Sequence, residues 1–293
     1  MKIVMFGNIT YDHIIHLNEF PSNKPHSLFA TDEYVTIGGS GAGKAFNMNR
    51  LGIEFLLGTR FALDEGGLKI KELLKEEGIN YFFDEDPVST VRHTNLMDSH
   101  GDRISIFTNN GSSEEIIDLE KYKKPIKEAD VIILNISNFC KEYIPLIKES
   151  NAKVWTDLHD YDGLNEYHQD FIDVADVVFI SVDKIRSNYN EVVEELKKNS
   201  ELLVCTKGSS GAEAFFEGDT YNVKASKNKQ VDTNGAGDGF FSGFFWGYLN
   251  KYSVKECLEL GAVVGGLCVE SKMLFNENLT KETLIELHKK NTS

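Results

Sequence analysis

The sequence predicts an α/β protein with a mostly parallel central sheet covered by helices and a separate, smaller β-sheet. Short apolar runs such as VIILNIS at 131–137 and DVVFIS at 176–181 alternate with helical segments, which is typical of a parallel sheet buried on both faces. Two other regions alternate apolar and polar residues, as strands with one wet face do. This division places residues 1–8, 38–79 and 111–293 in the core, and residues 9–37 and 80–110 in a β lid.

The elements follow from periodicity and turn residues. A buried strand over 2–6 ends at Gly7, helical spacing over 43–51 stops at Gly52, and a second amphipathic helix over 68–77 closes at Gly78. Turn residues at 99–102 separate two alternating runs and predict a hairpin. The alternating series that follows is VIILNIS, KEYIPLIKES, KVWTDL, DVVFIS, a helix around 189–198, ELLVCTKG, FFSGFFWGYL and ECLELGAVVGGLCVE.

Composition excludes several classes of function. The chain has 293 residues, 41% of them hydrophobic, and a net charge of −15, which disfavours nucleic-acid and polybasic membrane binding. No apolar stretch approaches the ~18 residues of a membrane span, and MKIVMFGNI is too short for a signal peptide. We therefore expect a cytoplasmic protein that binds neither nucleic acid nor membrane. The four scattered cysteines predict reduced thiols and no zinc site.

A first glycine-rich segment, IGGSGAGKAFN at 37–47, nearly matches a phosphate-binding loop. Gly38, Gly43 and Lys44 have the spacing G-x-x-x-x-G-K. The next residue should carry a hydroxyl for Mg²⁺, but it is Ala45. A true phosphate loop also follows a buried strand, whereas residues 31–37 alternate polar and apolar residues. The segment is therefore not predicted to bind the nucleotide.

A second glycine-rich segment, VDTNGAGDGFFSG at 231–243, leads into a strongly apolar helix. The small residues Gly235, Ala236 and Gly237 let successive N–H groups converge on an anion, aided by the helix dipole. Asp238 falls in the first turn. Its carboxylate either caps the helix, as Asp often does, or takes a proton from an attacking hydroxyl.

These segments together resemble the ribokinase-like (PfkB) family of sugar and nucleoside kinases. The resemblance rests on D-T-N-G-A-G-D-G-F at 232–240 and I-G-G-S-G-A-G…R-L-G at 37–52, supported by Gly7, Asp12, the Gly101-Asp102-Arg103 turn and T-K-G-S-S-G-A at 206–212. It implies a ribokinase-like three-layer sandwich with a β lid. It also implies ATP-dependent phosphoryl transfer to a hydroxyl, with Asp238 as general base and the amides of 235–237 as anion hole.

The same resemblance implies the remaining site residues. Asp12 would grip acceptor hydroxyls, since a carboxylate accepts two donors at once. The acceptor contacts are predicted at Asp12, Gly38, Gly39, Gly43 and Lys44. The nucleotide contacts are predicted at Thr206, Lys207, Gly208, Ser210, Gly211, Asn228, Ala262 and Lys184.

Two positions depart from the family pattern. Gly43 stands where members usually carry an acceptor-binding Asn, so Lys44 or Asn47 is a candidate substitute. Ser181-Val182-Asp183-Lys184 stands where members usually carry N-x-x-E, which leaves Asp183 as the candidate metal ligand. The expected cofactors are ATP and Mg²⁺, with a monovalent cation near Asp232 and Asn234 by family analogy alone.

Three functions stay open on the sequence. The first is a sugar kinase, the second a nucleoside kinase of the same family, and the third a non-catalytic ligand-binding pseudokinase, which the departures at Ser181 and Lys184 favour. A dinucleotide-dependent dehydrogenase is disfavoured because no G-x-G-x-x-G follows the first strand. Free strand edges in the lid predict a homodimer formed through it.

Overall fold

The computed structural model describes residues 1–101, 103–113 and 117–292. Its strands, in chain order, are β1 Ile3–Phe6, β2 Thr10–His16, β3 Asp32–Gly38, β4 Leu56–Phe61, β5 Tyr81–Glu85, β6 Arg92–Met97, β7 Arg103–Asn109, β8 Val131–Asn135, β9 Lys153–Asp157, β10 Val177–Ser181, β11 Leu202–Thr206, β12 Ala212–Phe216 and β13 Asp219–Val223. Its α-helices are α1 Ser40–Arg50, α2 Glu65–Glu76, α3 Glu120–Glu128, α4 Asn138–Lys141, α5 Ile144–Lys148, α6 Gln169–Ile172, α7 Tyr189–Asn199, α8 Ala236–Leu249, α9 Val254–Cys268 and α10 Lys281–Thr292.

A nine-stranded sheet with strand order β13-β12-β11-β10-β9-β8-β1-β4-β5 forms the core. The strands from β11 to β5 are parallel, and β12 and β13 add an antiparallel hairpin at one edge. Alternate residues of β1 enter different hydrophobic clusters: Ile3 and Met5 pack with α1, α8 and α9, whereas Val4 and Phe6 pack with α3, α5 and α7. The sheet is therefore covered on both faces, which confirms the predicted three-layer sandwich.

The lid is a separate four-stranded sheet with order β3-β2-β6-β7. The predicted hairpin is present, since β6 and β7 pair antiparallel with Leu96 opposite Ile104. Asp102, which belongs to the turn quoted above, lies outside the described residues. Strand β7 is one of the two edge strands of this sheet and is exposed along nearly its whole length.

The lid is smaller than the sequence prediction in one respect. Residues 80–110 were expected to belong to it, but β5 pairs parallel with β4 in the large sheet, with Leu57 opposite Tyr81. The boundary at residue 80 is wrong because β5 is an edge strand whose burial alternates, the same pattern that a half-exposed lid strand shows. Within the described residues no helix is both long and apolar enough to cross a bilayer.

The topology brings three strand ends to one edge of the large sheet. The parallel strands β9, β10 and β11 are neighbours and end at Asp157, Ser181 and Thr206. The backbone N–H of Ser181 donates to the His159 carbonyl (2.7 Å), and that of Val182 donates to the Thr206 carbonyl (3.0 Å). Ligands of open α/β sheets bind beyond the carboxyl ends of the strands, so this edge is where a site is expected.

Candidate active site

Helix α8 begins in the second glycine-rich segment. Gly235 precedes it with φ 79°, a left-handed conformation, and a Cβ there would lie 2.9 Å from the Leu274 carbonyl oxygen, so glycine is required. The first amides of a helix have no intrahelical acceptor, and Gly237 in this first turn is exposed. The Ala236 N–H donates to the Thr233 carbonyl at 3.3 Å, so of the predicted anion-binding amides those of Gly235 and Gly237 are the ones available at the helix N-terminus.

Asp238 does not cap this helix. The structure records no side-chain cap at the start of α8, and Asp238 Oδ1 instead accepts a hydrogen bond from Lys44 Nζ at 2.6 Å. The Asp238 side chain is 11% exposed, whereas that of Lys44 is completely buried. Of the two alternatives left open by the sequence, the structure therefore disfavours the cap.

Lys44 joins Asp238 to a second carboxylate that sequence analysis missed. Its Nζ lies 3.1 Å from Oδ2 of Asp157, at the end of β9. His159 Nδ1 lies 3.6 Å from the same oxygen, and His159 adopts φ 51°, a conformation that is uncommon outside glycine and often marks a functional site. Lys44, Asp157, His159 and Asp238 are called the charged cluster below.

Burial and the neighbouring positive charges shift the pKa values of the two carboxylates in opposite directions. Burial raises the pKa of Asp238, and the Lys44 and His159 charges only partly reverse this effect. Burial also disfavours the charged form of Asp157, but His159 and Lys44 outweigh it and hold the pKa of Asp157 at about 2. For Lys44, burial opposes the charge, yet Asp238 and Asp157 together raise its pKa. The ammonium therefore stays charged between the two acids.

The charged cluster is a poor site for Mg²⁺. Ligand atoms of Asp157, His159 and Asp238 lie within 4.8 Å of one another, but the Lys44 ammonium already contacts both carboxylates. Mg²⁺ prefers oxygen ligands and keeps several waters. Asp183, the metal candidate from the sequence, is exposed and binds Arg186 Nη2 at 2.7 Å. Each acid that is a candidate ligand for Mg²⁺ is thus already paired with a cation.

Asp12 and Gly38 meet where the lid joins the core. A Cβ on Gly38 would lie 2.0 Å from Asp12 Oδ2, so the two predicted acceptor residues are adjacent. Asp12 is buried, its Oδ1 accepts from the His93 backbone N–H at 3.0 Å, and Oδ2 lies 3.3 Å from His93 Nδ1. Because both oxygens already contact His93, the grip of Asp12 on acceptor hydroxyls stays a prediction. His93 is not among the residues predicted from the sequence.

Helix α1 explains the first glycine-rich segment. It follows β3, a lid strand whose first four residues are not buried, so the segment lacks the buried strand of a phosphate loop. Gly39 precedes the helix with φ 88°. Asn47, suggested as an acceptor ligand, is fully buried and donates to the Gly43 and Leu274 carbonyl oxygens at 2.7 and 2.8 Å. Direct contact of Lys44 with an acceptor is likewise unsupported, since both carboxylates hold its ammonium.

Five of the eight predicted nucleotide residues lie at or just after the end of β11. Gly208–Ser210 form an exposed 3₁₀ turn after Thr206 and Lys207, and Gly211 follows with φ 99°. Lys207 Nζ binds Glu213 Oε1 at 2.7 Å. Asn228 packs against α9, where a Cβ on Gly266 would lie 2.4 Å from its Oδ1. The other two predicted residues are a half-buried Ala262 on α9 and an exposed Lys184 after β10.

The lid rests on the loop that leads into α8. Tyr34 donates its hydroxyl to Asp232 Oδ2 at 3.2 Å, and Thr233 Oγ1 donates to the Gly101 carbonyl at 3.2 Å. Arg103 Nη1 donates to Asn234 Oδ1. Because Asp232 Oδ1 also accepts from the Asn234 N–H at 2.8 Å, the oxygens suggested for a monovalent cation are already engaged. The lid therefore contacts the loop that immediately precedes the helix carrying Asp238.

Comparison with known proteins identifies the family. A model of the pfkB family carbohydrate kinases matches residues 1–280. The chain belongs to this family. The predicted family, fold and enzyme class, an ATP-dependent carbohydrate kinase, are therefore confirmed.

Individual pfkB relatives cover nearly the whole chain. It is 28% identical to the ribokinase of Lactococcus lactis subsp. lactis over 289 residues, covering 92% of this chain and 91% of the relative. It is 27% identical to a nucleoside kinase of Methanothermobacter thermautotrophicus over 286 residues, covering 92% and 90%. The solved structure of a microbiome-derived acarbose kinase superposes with a TM-score of 0.86 at 26% identity, covering 98% of each chain.

Proposed function

We propose that this pfkB kinase transfers the γ-phosphoryl group of ATP to a hydroxyl of a small sugar or sugar-like acceptor, with Asp238 as general base. The observation that carries the proposal is the place of Asp238. Its carboxylate lies in the first turn of α8, beside the exposed Gly237 and with a small part of its side chain open. A proton acceptor and a set of anion-binding amides therefore adjoin each other.

The reaction follows from these groups. The acceptor hydroxyl gives its proton to the Asp238 carboxylate, and its oxygen forms a bond to the γ-phosphorus as the bond to the β–γ bridging oxygen breaks. ADP leaves, and Asp238 releases the proton to solvent. The amides of Gly235 and Gly237 hold the equatorial oxygens of the transferring group. Mg²⁺ bound to the ATP phosphates would neutralise part of their charge.

The other predicted groups serve binding. Asp12 orients the acceptor, and the Gly38 and Gly39 backbone approaches its hydroxyls. The turn at 208–211 and Lys207 hold ATP phosphates at the end of β11, beside Lys184, while Asn228 and Ala262 border the base. The closed lid keeps water from the γ-phosphate, because ATP would otherwise be hydrolysed.

A nucleoside acceptor is the second candidate. Phe107 in the lid is 65% exposed, and its ring centroid lies 4.3 Å from that of His93, which contacts Asp12. An exposed aromatic ring, separated from a carboxylate by one histidine, suits a flat base joined to a ribose. The nucleoside kinase among the relatives supports this alternative, and the ribokinase and acarbose kinase support a sugar.

The proposed assembly is a homodimer formed through the lid. Strand β7 is an unpaired edge and carries Ile104, Ile106 and Phe107, which are 41%, 44% and 65% exposed. Exposed strand edges with apolar side chains favour pairing with another chain. Sedimentation at several concentrations tests this directly: a lid dimer should dissociate in Ile106→Lys, and an unchanged dimer in that variant would contradict it.

ADP release across a panel of sugars and nucleosides tests the proposed reaction. The wild-type protein, Asp238→Asn and the exposed control Asp219→Asn are assayed with Mg²⁺ and ATP. We expect turnover of at least one acceptor, lost in Asp238→Asn and kept in Asp219→Asn. Ligand binding without turnover in the wild type would instead indicate the pseudokinase.

A further inference from the structure

Lys44 is a fully buried lysine at the centre of the site, and nothing in the proposed reaction so far uses it. Burying an ammonium is strongly unfavourable unless anionic partners compensate for its lost hydration. Here the partners are Asp238 at 2.6 Å and Asp157 at 3.1 Å, from α8 and β9. One residue of α1 therefore ties together the proposed base and the strand edge on which the site is built.

We propose that Lys44 is a positioning residue that fixes the orientation and the ionisation of Asp238, with Asp157 as the second anchor of its ammonium. This inference rests on the proposed function, because it assumes that Asp238 accepts the acceptor proton. It assigns Lys44 a role toward the base in place of the direct acceptor contact expected from the sequence.

The two carboxylate oxygens of Asp238 have different neighbours. Lys44 binds Oδ1 of Asp238. Oδ2 lies over Gly43, where a Cβ would come within 2.3 Å of it. Gly43 thus leaves room for Oδ2, and the adjacent Lys44 holds Oδ1. With Oδ1 held by the ammonium, Oδ2 is the oxygen available to accept the acceptor proton.

Charged and titratable groups face Asp238 from each element packed against it. These are Lys44 from α1, Asp157 and His159 from the end of β9, and Cys268 from α9, whose Sγ would lie 2.4 Å from a Cβ on Gly239. Burial raises the pKa of Cys268 to about 12, so it is neutral at physiological pH. Lys44 and His159 favour the ionised form of Asp238, whereas Asp157 disfavours it.

Two substitutions should therefore move the pH dependence in opposite directions. A base must be ionised to act, so kcat falls on the acid side as Asp238 is protonated. Lys44→Met removes a cation and should move the acid limb of the kcat profile to higher pH by about one unit, with kcat at pH 7 reduced at least roughly tenfold. Asp157→Asn removes an anion and should move the acid limb to lower pH.

The experiment records kcat and KM against pH for the wild type, Lys44→Met, Lys44→Arg and Asp157→Asn. Lys44→Arg keeps the charge and should restore the position of the acid limb, even where kcat stays low. Lys121→Met is the matched control, since Lys121 pairs with Asp84 in another part of the fold, at 2.5 Å between Nζ and Oδ1. A merely structural role for Lys44 would lower the folded fraction without moving any limb.

Unchanged acid limbs in both Lys44→Met and Asp157→Asn, with wild-type turnover intact, would overturn the inference. If Lys44→Met does not fold, the other two variants test the inference. It is supported if the acid limb moves to lower pH in Asp157→Asn and stays at the wild-type position in Lys44→Arg. Any other combination of acid limbs in these two variants contradicts it. Failure of the proposed function is distinguishable, because it appears as absent wild-type turnover or as an active Asp238→Asn.

Discussion

Gly43 on α1 lies directly against Asp238 on α8: a Cβ at position 43 would come within 2.3 Å of Oδ2 and 2.7 Å of the Asp238 Cβ. The helix that follows the first glycine-rich segment and the helix that follows the second therefore touch at the proposed base. This contact accounts for the absence of a side chain at position 43. It also makes position 43 a direct test of how closely the carboxylate must be held.

Gly43→Ala should lower kcat by roughly ten- to a hundredfold, because an added methyl group displaces the carboxylate from its place in a packed site. The measurement is kcat by coupled ADP assay together with thermal unfolding. Gly52→Ala is the control: it has open space around its Cβ but φ 72°, so it should cost about 1 kcal/mol of stability and leave kcat unchanged. Wild-type kcat in Gly43→Ala would show that Asp238 tolerates displacement.

Asp157 should make the free energy of unfolding depend on pH in the acid range. Its pKa is about 2 in the folded state against 3.8 without the fold, so the folded state favours its ionised form. This stabilisation, about 2 kcal/mol, is complete above pH ~4 and is lost as the pH falls toward 2. Urea unfolding from pH 7 to pH 2 should show a shallower acid decline in Asp157→Asn than in wild type or Asp219→Asn. Equal declines in all three would contradict the ion pair with Lys44.

Arg103 should hold the lid closed. Its hydrogen bond to Asn234 joins the lid hairpin to the loop before α8, and a closed lid excludes water from the reaction. Arg103→Ala should raise the acceptor KM roughly fivefold, the effect of losing about 1 kcal/mol from the closed state. Arg103→Lys keeps a donor and should show a smaller rise. An unchanged acceptor KM in Arg103→Ala would mean that this contact does not hold the lid.

Lys207 should act on ATP and not on the acceptor. It stands at the end of β11, beside the exposed turn at 208–210, and its side chain is 31% exposed. Removing its charge in Lys207→Met should raise the KM for ATP about tenfold with little change in acceptor KM. Lys197→Met, which removes a lysine from the surface pair with Glu194 on α7, is the control. A rise in the KM for the acceptor alone would show that Lys207 acts on the acceptor and not on ATP.

The sequence predicts the sheet, the lid hairpin and the helix that carries Asp238, because each depends on local periodicity or turn residues. It misplaces β5, since an edge strand of a large sheet and a lid strand have the same alternating pattern. The KEYIPLIKES segment, expected as one helical element, contains the short helix α5 and only the last residue of α4, with Pro145 in the first turn of α5.

The charged cluster was not predictable by the same means. Lys44, Asp157 and Asp238 are far apart along the chain and meet only through the packing of α1, α8 and β9. One local signal was present: Asp157 is an acid at the end of a predicted buried strand, where ligands of parallel sheets bind. No local signal in the sequence indicates that Lys44 is buried, because a lysine in a glycine-rich segment more often suggests a phosphate ligand.

The most direct test of the account is the rate of phosphate-ester formation by Asp238→Asn in a single turnover, with ATP and acceptor both saturating. Loss of a general base should slow this step about a thousandfold while ATP affinity stays within about twofold of wild type, since the amide of Asn keeps the shape of the site. Ester formation by Asp238→Asn within tenfold of the wild-type rate would contradict the assignment of Asp238 as the base.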